Sequence, residues 1–376
     1  SAAMVDFSYS EEQQLLKDSV ERFAREQMTI GRRRELVASD DGFSRDNWAK
    51  FAELGWLAVP FSEASGGLGG GPLEVMVLME AFGRGLALEP FLATVLLGGG
   101  LLEKGGNADQ KAALLPGVVA GETLLAFAYA EPQSRFALND VATRAARDGG
   151  GYRLTGHKAV VFHGAVADRL LVSARTSGAA RDADGITLFL VDPAADGVVL
   201  RGYGTVDGLR AADIRLDDVA VGGDAVVGAV GAALPLIEDV VDRATAALCS
   251  EALGLMDVLY ETTLEYSKTR QQFGRPIGKF QVVQHRLVDM FVACQEARSM
   301  VLMATLKLDT PERRRAVSAA KVHIGRAGRL IGQEAVQLHG GMGMTEELIV
   351  GHYFKRLTMI DTCFGNVDHH LARFAA

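Results

Sequence analysis

Cysteine is scarce in this chain: Cys249, Cys294 and Cys363 are the only three among 376 residues. They are far apart and odd in number, which argues against a disulfide framework and fits a reducing cytoplasm. Positive charge is also thin. The longest basic runs are Arg32-Arg33-Arg34 and Arg313-Arg314-Arg315, and the formal net charge is −8, so a nucleic-acid footprint is not expected. Long apolar runs are missing as well. Phe91 to Leu102 is broken by glycine and is too short to span a bilayer. No secretory signal opens the sequence, and Ser1-Ala2-Ala3 ahead of Met4 reads as an expression remnant.

What is present is apolar residue, 48% of the chain, enough to bury two or three packed regions. The first, residues 4–121, has helical patterning. Ser10 followed by Glu11-Glu12 is an N-cap with acids in the first turn, and Leu15, Leu16, Val20 and Phe23 recur at helical spacing. Ser65 to Gly71 is a glycine loop, and Pro72 opens the next helix. The second, residues 122–227, changes to short β-like runs: Leu124–Tyr129, Ala159–Phe162, Arg169–Ala174, Ile186–Val191, Val198–Leu200 and Asp213–Leu216. Turn signals between them predict an antiparallel sandwich or barrel. The third, residues 228–376, returns to long helices over Leu236–Glu261, over Gln281–Leu308, and from Pro311 to about Leu338.

The third region contains Arg270-Gln271-Gln272-Phe273-Gly274-Arg275-Pro276-Ile277-Gly278-Lys279-Phe280-Gln281, and later Gln337-Leu338-His339-Gly340-Gly341-Met342-Gly343. Both stretches, with Ala130-Glu131-Pro132 and Leu54 to Pro60, resemble the acyl-CoA dehydrogenase family. The likeness runs in order along essentially the whole chain. It implies an α+β multidomain fold: an N-terminal helical domain, a middle β-domain and a C-terminal four-helix bundle. It also implies FAD, an acyl-CoA thioester as substrate, and an electron-transfer flavoprotein as acceptor. In that chemistry a base removes the α-proton while the β-hydrogen leaves as hydride. A carboxylate in a dry pocket and donors aimed at the thioester oxygen are required.

By the same resemblance Arg270 reaches the FAD pyrophosphate across a dimer interface, where its planar fork suits two phosphate oxygens. Phe273 packs on the cofactor, Gln281 and Gln337 bond to it, and Gly340 and Gly341 let the backbone approach. On the flavin side the implied contacts are Phe127, Tyr129, Ala130 and Phe162.

The pattern breaks at the chemistry. In Asp361-Thr362-Cys363-Phe364-Gly365-Asn366-Val367-Asp368-His369-His370, Phe364 stands where the family has its glutamate base. Asn366 is neutral. A metal site here is not expected, since adjacent histidines face different sides of a helix. In relatives whose base lies on an earlier helix, the matching residue is Ala244, also neutral. Asp242, two residues before it, is a displaced base, the aspartate that relatives carry near the CoA pantetheine, or a structural residue; Glu238, Asp239 and Glu251 are weaker candidates for the base. Ala130 replaces the hydroxyl that bonds the flavin, Val160 a tryptophan, Phe162 a threonine and His163 an asparagine.

An altered catalytic half beside a kept phosphate half fits one subunit of a heteromeric enzyme. With Leu88-Glu89-Pro90-Phe91, and with His352-Tyr353-Phe354-Lys355-Arg356-Leu357-Thr358 ahead of Phe364-Gly365, the sequence resembles in particular the bacterial small subunit assigned to pimeloyl-CoA. That implies a homo- or heterotetramer with a large acyl-CoA dehydrogenase subunit. Arg135, Lys158 and His163 stand where positive charge could meet a distal carboxylate. An autonomous dehydrogenase with a relocated base and a non-catalytic scaffold subunit are the alternatives.

Overall fold

The computed structural model describes residues 8–376, so the reading of Ser1-Ala2-Ala3 and the start of the first region at residue 4 lie outside the described residues. The N-terminal helices are α1 (Glu11–Gln27), α2 (Ile30–Val37), α3 (Arg45–Glu53), α4 (Pro72–Gly85), a π-helical segment (Phe91–Gly99), α5 (Gly100–Gly105) and α6 (Ala108–Val119). Ser10 caps α1 as expected: its Oγ accepts from the Gln13 amide, and the Gln13 side chain returns to the Ser10 amide. Pro72 is the first residue of α4.

Eight strands follow: β1 (Leu125–Ala128), β2 (Arg144–Asp148), β3 (Gly151–Phe162), β4 (Arg169–Arg175), β5 (Ile186–Val191), β6 (Val198–Gly204), β7 (Arg210–Val221) and β8 (Val226–Val227). They form one sheet in the order β6-β7-β3-β2-β4-β5-β8, with β1 also on β4. The expectation of a purely antiparallel sheet is corrected here. β1 and β2 both pair parallel to β4, with Leu125 opposite Arg169 and Arg144 opposite Arg175. The chain leaves β1 through a long loop rather than a hairpin, so β2 returns in the same direction along the same edge. Register slips between Lys158 and Val161 of β3, which sets Val160 out of the ladder at φ 52°.

The C-terminal helices are α7 (Leu234–Thr269), α8 (Gln281–Leu306), α9 (Arg313–His339), α10 (Ile349–Thr362) and α11 (Val367–Ala375). A small hairpin, β9 (Gln271–Gln272) and β10 (Arg275–Pro276), joins α7 to α8. α7 is the central rod, and α4, α8, α9 and α10 all pack on it. Its approach to α4 is backbone on backbone. A Cβ at Gly254 would lie 2.0 Å from the Glu80 carbonyl oxygen, and one at Gly83 2.0 Å from that of Glu251. Only glycine fits either position, and the close crossing fixes where Glu251 sits.

Candidate active site

The stretch from Asp361 to His370 is a tight link between α10 and α11. Phe364 has φ 58° and Gly365 φ 110°, both left-handed, so the chain turns back within two residues. The turn is tied from outside. Lys321 of α9, fully buried, donates to the carbonyls of Asp361 at 3.0 Å and Gly365 at 2.6 Å. Burial lowers the Lys321 pKa; the neighbouring thiols of Cys249 and Cys363 and the carboxylate of Asp361 oppose that shift. His370 lies 2.9 Å from the Phe364 carbonyl through Nε2 and 3.0 Å from Ser318 Oγ through Nδ1. The carbonyl only accepts, so Nε2 carries the proton and Nδ1 accepts from the serine. Burial beside Lys321 pushes His370 down to about 3. Asn366 is the N-cap of α11, its Oδ1 accepting the His369 amide at 3.0 Å. Among the described residues no group of three His, Cys, Asp or Glu is placed to hold a metal ion.

Phe364 faces aromatic rings. Tyr129 stacks on it at 6.2 Å between centroids, Phe162 meets it edge-on at 6.1 Å, and Phe127 lies 5.0 Å from Tyr129. Phe127, Tyr129, Phe162 and Phe364 therefore form one cluster. Ala130 follows at the end of β1, its carbonyl accepting from the Ala159 amide. None of these side chains can take a proton from carbon at neutral pH, and neither Ala130 nor Phe162 offers a hydroxyl.

Outside the cluster lies a cleft of about 340 Å³ lined by Tyr129, Arg135, Asp242, Arg314, Phe364 and His369, among others. Asp242 is 3% exposed and both its oxygens are engaged. Oδ1 lies 2.7 Å from Arg373 and Oδ2 3.1 Å from the Arg313 Nε. That geometry corrects its candidacy as a displaced base: its lone pairs face two guanidinium groups. Replacing Asp242 with asparagine is expected to cost about 1–3 kcal/mol of stability by stranding those arginines. Urea unfolding measures the cost. Loss of flavin reduction in a variant with unchanged unfolding would restore Asp242 as a base.

Inside the cluster, on the far side of Phe162 and Cys363, is a smaller chamber of about 50 Å³. Glu89, His163, Arg210, Glu251 and Arg356 line it together with Phe51, Met79, Phe82 and Phe91. Arg356 is its anchor. It grips Glu251 with two bonds, 2.7 and 2.8 Å, and Asp207 at 2.9 Å. Burial alone would lower the Arg356 pKa, but Glu251 and then Asp207 more than offset it, and the guanidinium is held firmly charged. Nothing in the sequence joined these three; Glu251 enters there only as a weaker candidate base, and the grip of Arg356 on both its oxygens takes it out of that role. The members of this triad come from three distant segments, and only the fold makes them neighbours.

The three residues read as positive charge for a distal carboxylate separate. Lys158 is fully buried and spent: its Nζ lies 2.8 Å from Glu131, 3.1 Å from Ser173 Oγ and 3.2 Å from the Tyr129 carbonyl. Glu131 in turn accepts the amides of Ala142 and Thr143, so the pair fixes the Ala-Glu-Pro turn. This corrects the expectation for Lys158. Arg135 is in the outer cleft and His163 in the inner chamber.

The remaining sequence candidates gather at the other end of α7. Tyr266 stacks on His339 at 4.3 Å, which sets the Arg270–Gly274 hairpin beside the Gln337–Gly341 turn. Arg270, Gln281, Gln337, Gly340 and Gly341 are all exposed, and among the described residues Arg270 has no side-chain partner. Phe273 sits at the hairpin tip with φ 53° and 91% exposure. An aromatic ring held out in a strained turn, beside an unpaired guanidinium, is suited to a flat anionic group brought to this face.

Residues 10–122, 126–219 and 234–376 match the N-terminal, middle and C-terminal domains of acyl-CoA dehydrogenase. The chain is 29% identical to "Acyl-CoA dehydrogenase FadE27" of Mycobacterium tuberculosis, covering 98% of this chain and 97% of that protein. Among solved structures it resembles a chain of the ChsE4-ChsE5 complex from Mycobacterium tuberculosis, with TM-score 0.90, 28% identity and coverage of 99% and 98%. It also resembles a chain of a variant of the Tcur3481-Tcur3483 steroid ACAD, with TM-score 0.87, 31% identity and 97% coverage of each.

Proposed function

Because the chain belongs to the acyl-CoA dehydrogenase family, FAD-dependent oxidoreductases acting on acyl-CoA thioesters, we propose that it works as one subunit of a heteromeric enzyme whose partner supplies the base. The observation that carries this is Phe364. By the resemblance it stands for the base; the fold sets it in an aromatic cluster, while Asp242 is locked between two arginines.

The residues present suit the nucleotide half of FAD better than the flavin half. Arg270 and Phe273 would hold the pyrophosphate, with Gln281, Gln337, Gly340 and Gly341 beside them. These residues are all exposed, which suits a cofactor shared with a neighbour. FAD, when bound, supplies the acceptor for the electrons that leave the acyl chain. Phe127, Tyr129, Ala130 and Phe162 would border the ring but give it no side-chain hydroxyl. The chain's own residues do three further things. The outer cleft admits the thioester arm, Arg135 and Arg314 at its rim meet phosphate charge, and the aromatic cluster excludes water.

Two neighbouring structures are of named two-component complexes, "ChsE4-ChsE5" and "Tcur3481-Tcur3483", which supports a heteromeric assembly. So do the apolar residues Val282, Val288, Phe291 and Val292, all exposed on α8. Among the described residues no helix is long and apolar enough to cross a membrane. A dicarboxylyl-CoA such as pimeloyl-CoA is the substrate this reading favours, with an electron-transfer flavoprotein as acceptor and the cytoplasm as compartment.

An anaerobic visible spectrum tests the proposal. The purified chain alone is expected to leave any bound flavin oxidised when acyl-CoAs are added. The same addition in the presence of a large subunit with an intact glutamate is expected to bleach it. Bleaching by the chain alone would overturn the division of labour.

A further inference from the structure

Basic side chains gather at a third cleft, between α2, the turn from β6 to β7 and the start of α10. Its volume is about 270 Å³, and Arg33, Arg34, Asp207, Glu346, His352 and Lys355 are among its lining residues. It shares no lining residue with the outer cleft or the inner chamber, and none of the residues assigned above to FAD borders it. Glu346 is the one anion held there by its neighbours. Its side chain is 61% exposed, yet Oε1 accepts from Lys355 at 2.8 Å and Oε2 lies 3.5 Å from His352 Nε2. That nitrogen is also 3.1 Å from the Glu346 carbonyl, which only accepts, so Nε2 carries the proton. Arg34 is exposed, and among the described residues its guanidinium has no hydrogen bond or ion pair. The bond from Lys355, followed by the charges of Lys355, His352 and Arg34, holds the Glu346 carboxyl below its ordinary value.

Arg33 adds a cation from below. It is 6% exposed, and its Nη2 donates to the Asp207 carbonyl at 2.6 Å. The same nitrogen would be 3.2 Å from a Cβ at Gly208, which also lines the cleft, so the guanidinium reaches the cleft wall. Its Nη1 donates to the Leu86 carbonyl and its Nε is buried without a partner. The Asp207 carboxylate is spent elsewhere: Oδ2 accepts from Arg356 at 2.9 Å, and Oδ1 from Thr205 Oγ1 and the Leu209 amide. Three full cations, Arg33, Arg34 and Lys355, therefore line the cleft against a single uncommitted carboxylate, that of Glu346. α10 opens beside it without a side-chain cap, and the positive end of its dipole adds to the same field.

We propose that this cleft binds a phosphate group, inorganic or carried as a phosphomonoester, in the place now taken by the Glu346 carboxylate. The inference does not depend on where FAD or the acyl-CoA sits. A phosphate brings three acceptor oxygens and about two negative charges, which answer Arg34, Lys355 and the His352 N–H more fully than one carboxylate does. The volume is close to the ~300 Å³ at which small-ligand sites begin, room for the phosphate and a short organic stem. Glu346 is exposed, so it can swing into water to make way.

Calorimetric titration of the FAD-loaded protein with inorganic phosphate and, separately, with phenyl phosphate tests the site. FAD fills its own phosphate contacts, and saturable binding of one phosphate per chain is expected. Glu346→Gln removes the competing charge and is expected to tighten binding about tenfold. Arg34→Gln and Lys355→Gln are each expected to weaken it about tenfold, the worth of a charge-assisted hydrogen bond. None of the three side chains is buried, and circular dichroism reports the fold of each variant. Tighter binding of phenyl phosphate supports a phosphomonoester as the ligand, and tighter binding of inorganic phosphate supports the free ion. Lack of saturable binding, binding that none of the substitutions shifts, or weaker binding in Glu346→Gln would overturn the site and leave the acyl-CoA reading standing.

Discussion

Replacing Arg356 with methionine is expected to destabilise the protein by about 3–5 kcal/mol, the cost of breaking a buried ion pair from one side. The side chains of Arg356, Asp207 and Glu251 are 7%, 1% and 9% exposed, so water cannot take the arginine's place. Two carboxylates would be left facing each other without a cation. Asp207 lies in the turn between β6 and β7, Glu251 on α7 and Arg356 on α10, so the triad joins the sheet to the C-terminal helices. The loss should therefore be seen first at that seam, as faster amide exchange in the turn around Asp207. Urea unfolding gives the total. Lysine at 356 keeps the charge but not the two-bond grip on Glu251, and is expected to recover only part of the loss. A methionine variant within about 1 kcal/mol of the parent would mean the three charges are dispensable.

Acidification from pH 7 to 5 is expected to cost about 2 kcal/mol of folding free energy, net of opposing groups. His163 is held at about 4 and His370 at about 3, both below the ordinary histidine value near 6.5. Burial of the neutral ring is the main cause in each. The unfolded chain takes up these protons first, so the stability is full above about 6.5 and falls as pH drops through that value towards the folded pKa. At pH 5 each histidine has given up about 2 kcal/mol. Asp257 works in the other direction. Burial raises it to about 6, against the pull of Arg298 and with help from Glu80. Its folded carboxyl keeps a proton that the unfolded one releases, and acidification from 7 to 5 returns about 1.4 kcal/mol. Urea unfolding at the two pH values measures the difference. His163→Asn should bring the two values closer by about 2 kcal/mol, and an unchanged difference would show that His163 titrates normally.

Much of this fold was legible in the chain. Ile186–Val191 is a strand to the residue because nearly every position is apolar and the run is bounded by turn residues. Gln281 and Pro72 open their helices where the pattern placed them. β2 was missed because only Ala145 of Arg144–Asp148 is buried, and a charged edge segment carries no alternation to read. β8 is two residues long and depends on Phe189 and Leu188 for its pairing.

The site was legible in parts. Family spacing marked Phe364 as the altered position, and the fold surrounds it with the aromatic residues that the resemblance implies as flavin contacts. Asn366 was weighed against a lost base, yet its side chain caps a helix, and the Val-Asp-His-His that follows was the signal for it. The role of Arg356 had no local signature. It depends on which distant carboxylates are within about 3 Å, and that is a property of the packed molecule alone.

The link from Asp361 to His370 separates shape from chemistry. Its left-handed turn is held through main-chain carbonyls by Lys321 and His370, and neither bonds to the side chain at 364. Position 364 is thus a socket. A lineage can retire a proton acceptor there by one substitution and keep the backbone, the helix that follows and the surfaces around it. An inactive member of a pair stays a sound building block, and the same independence leaves a short path back.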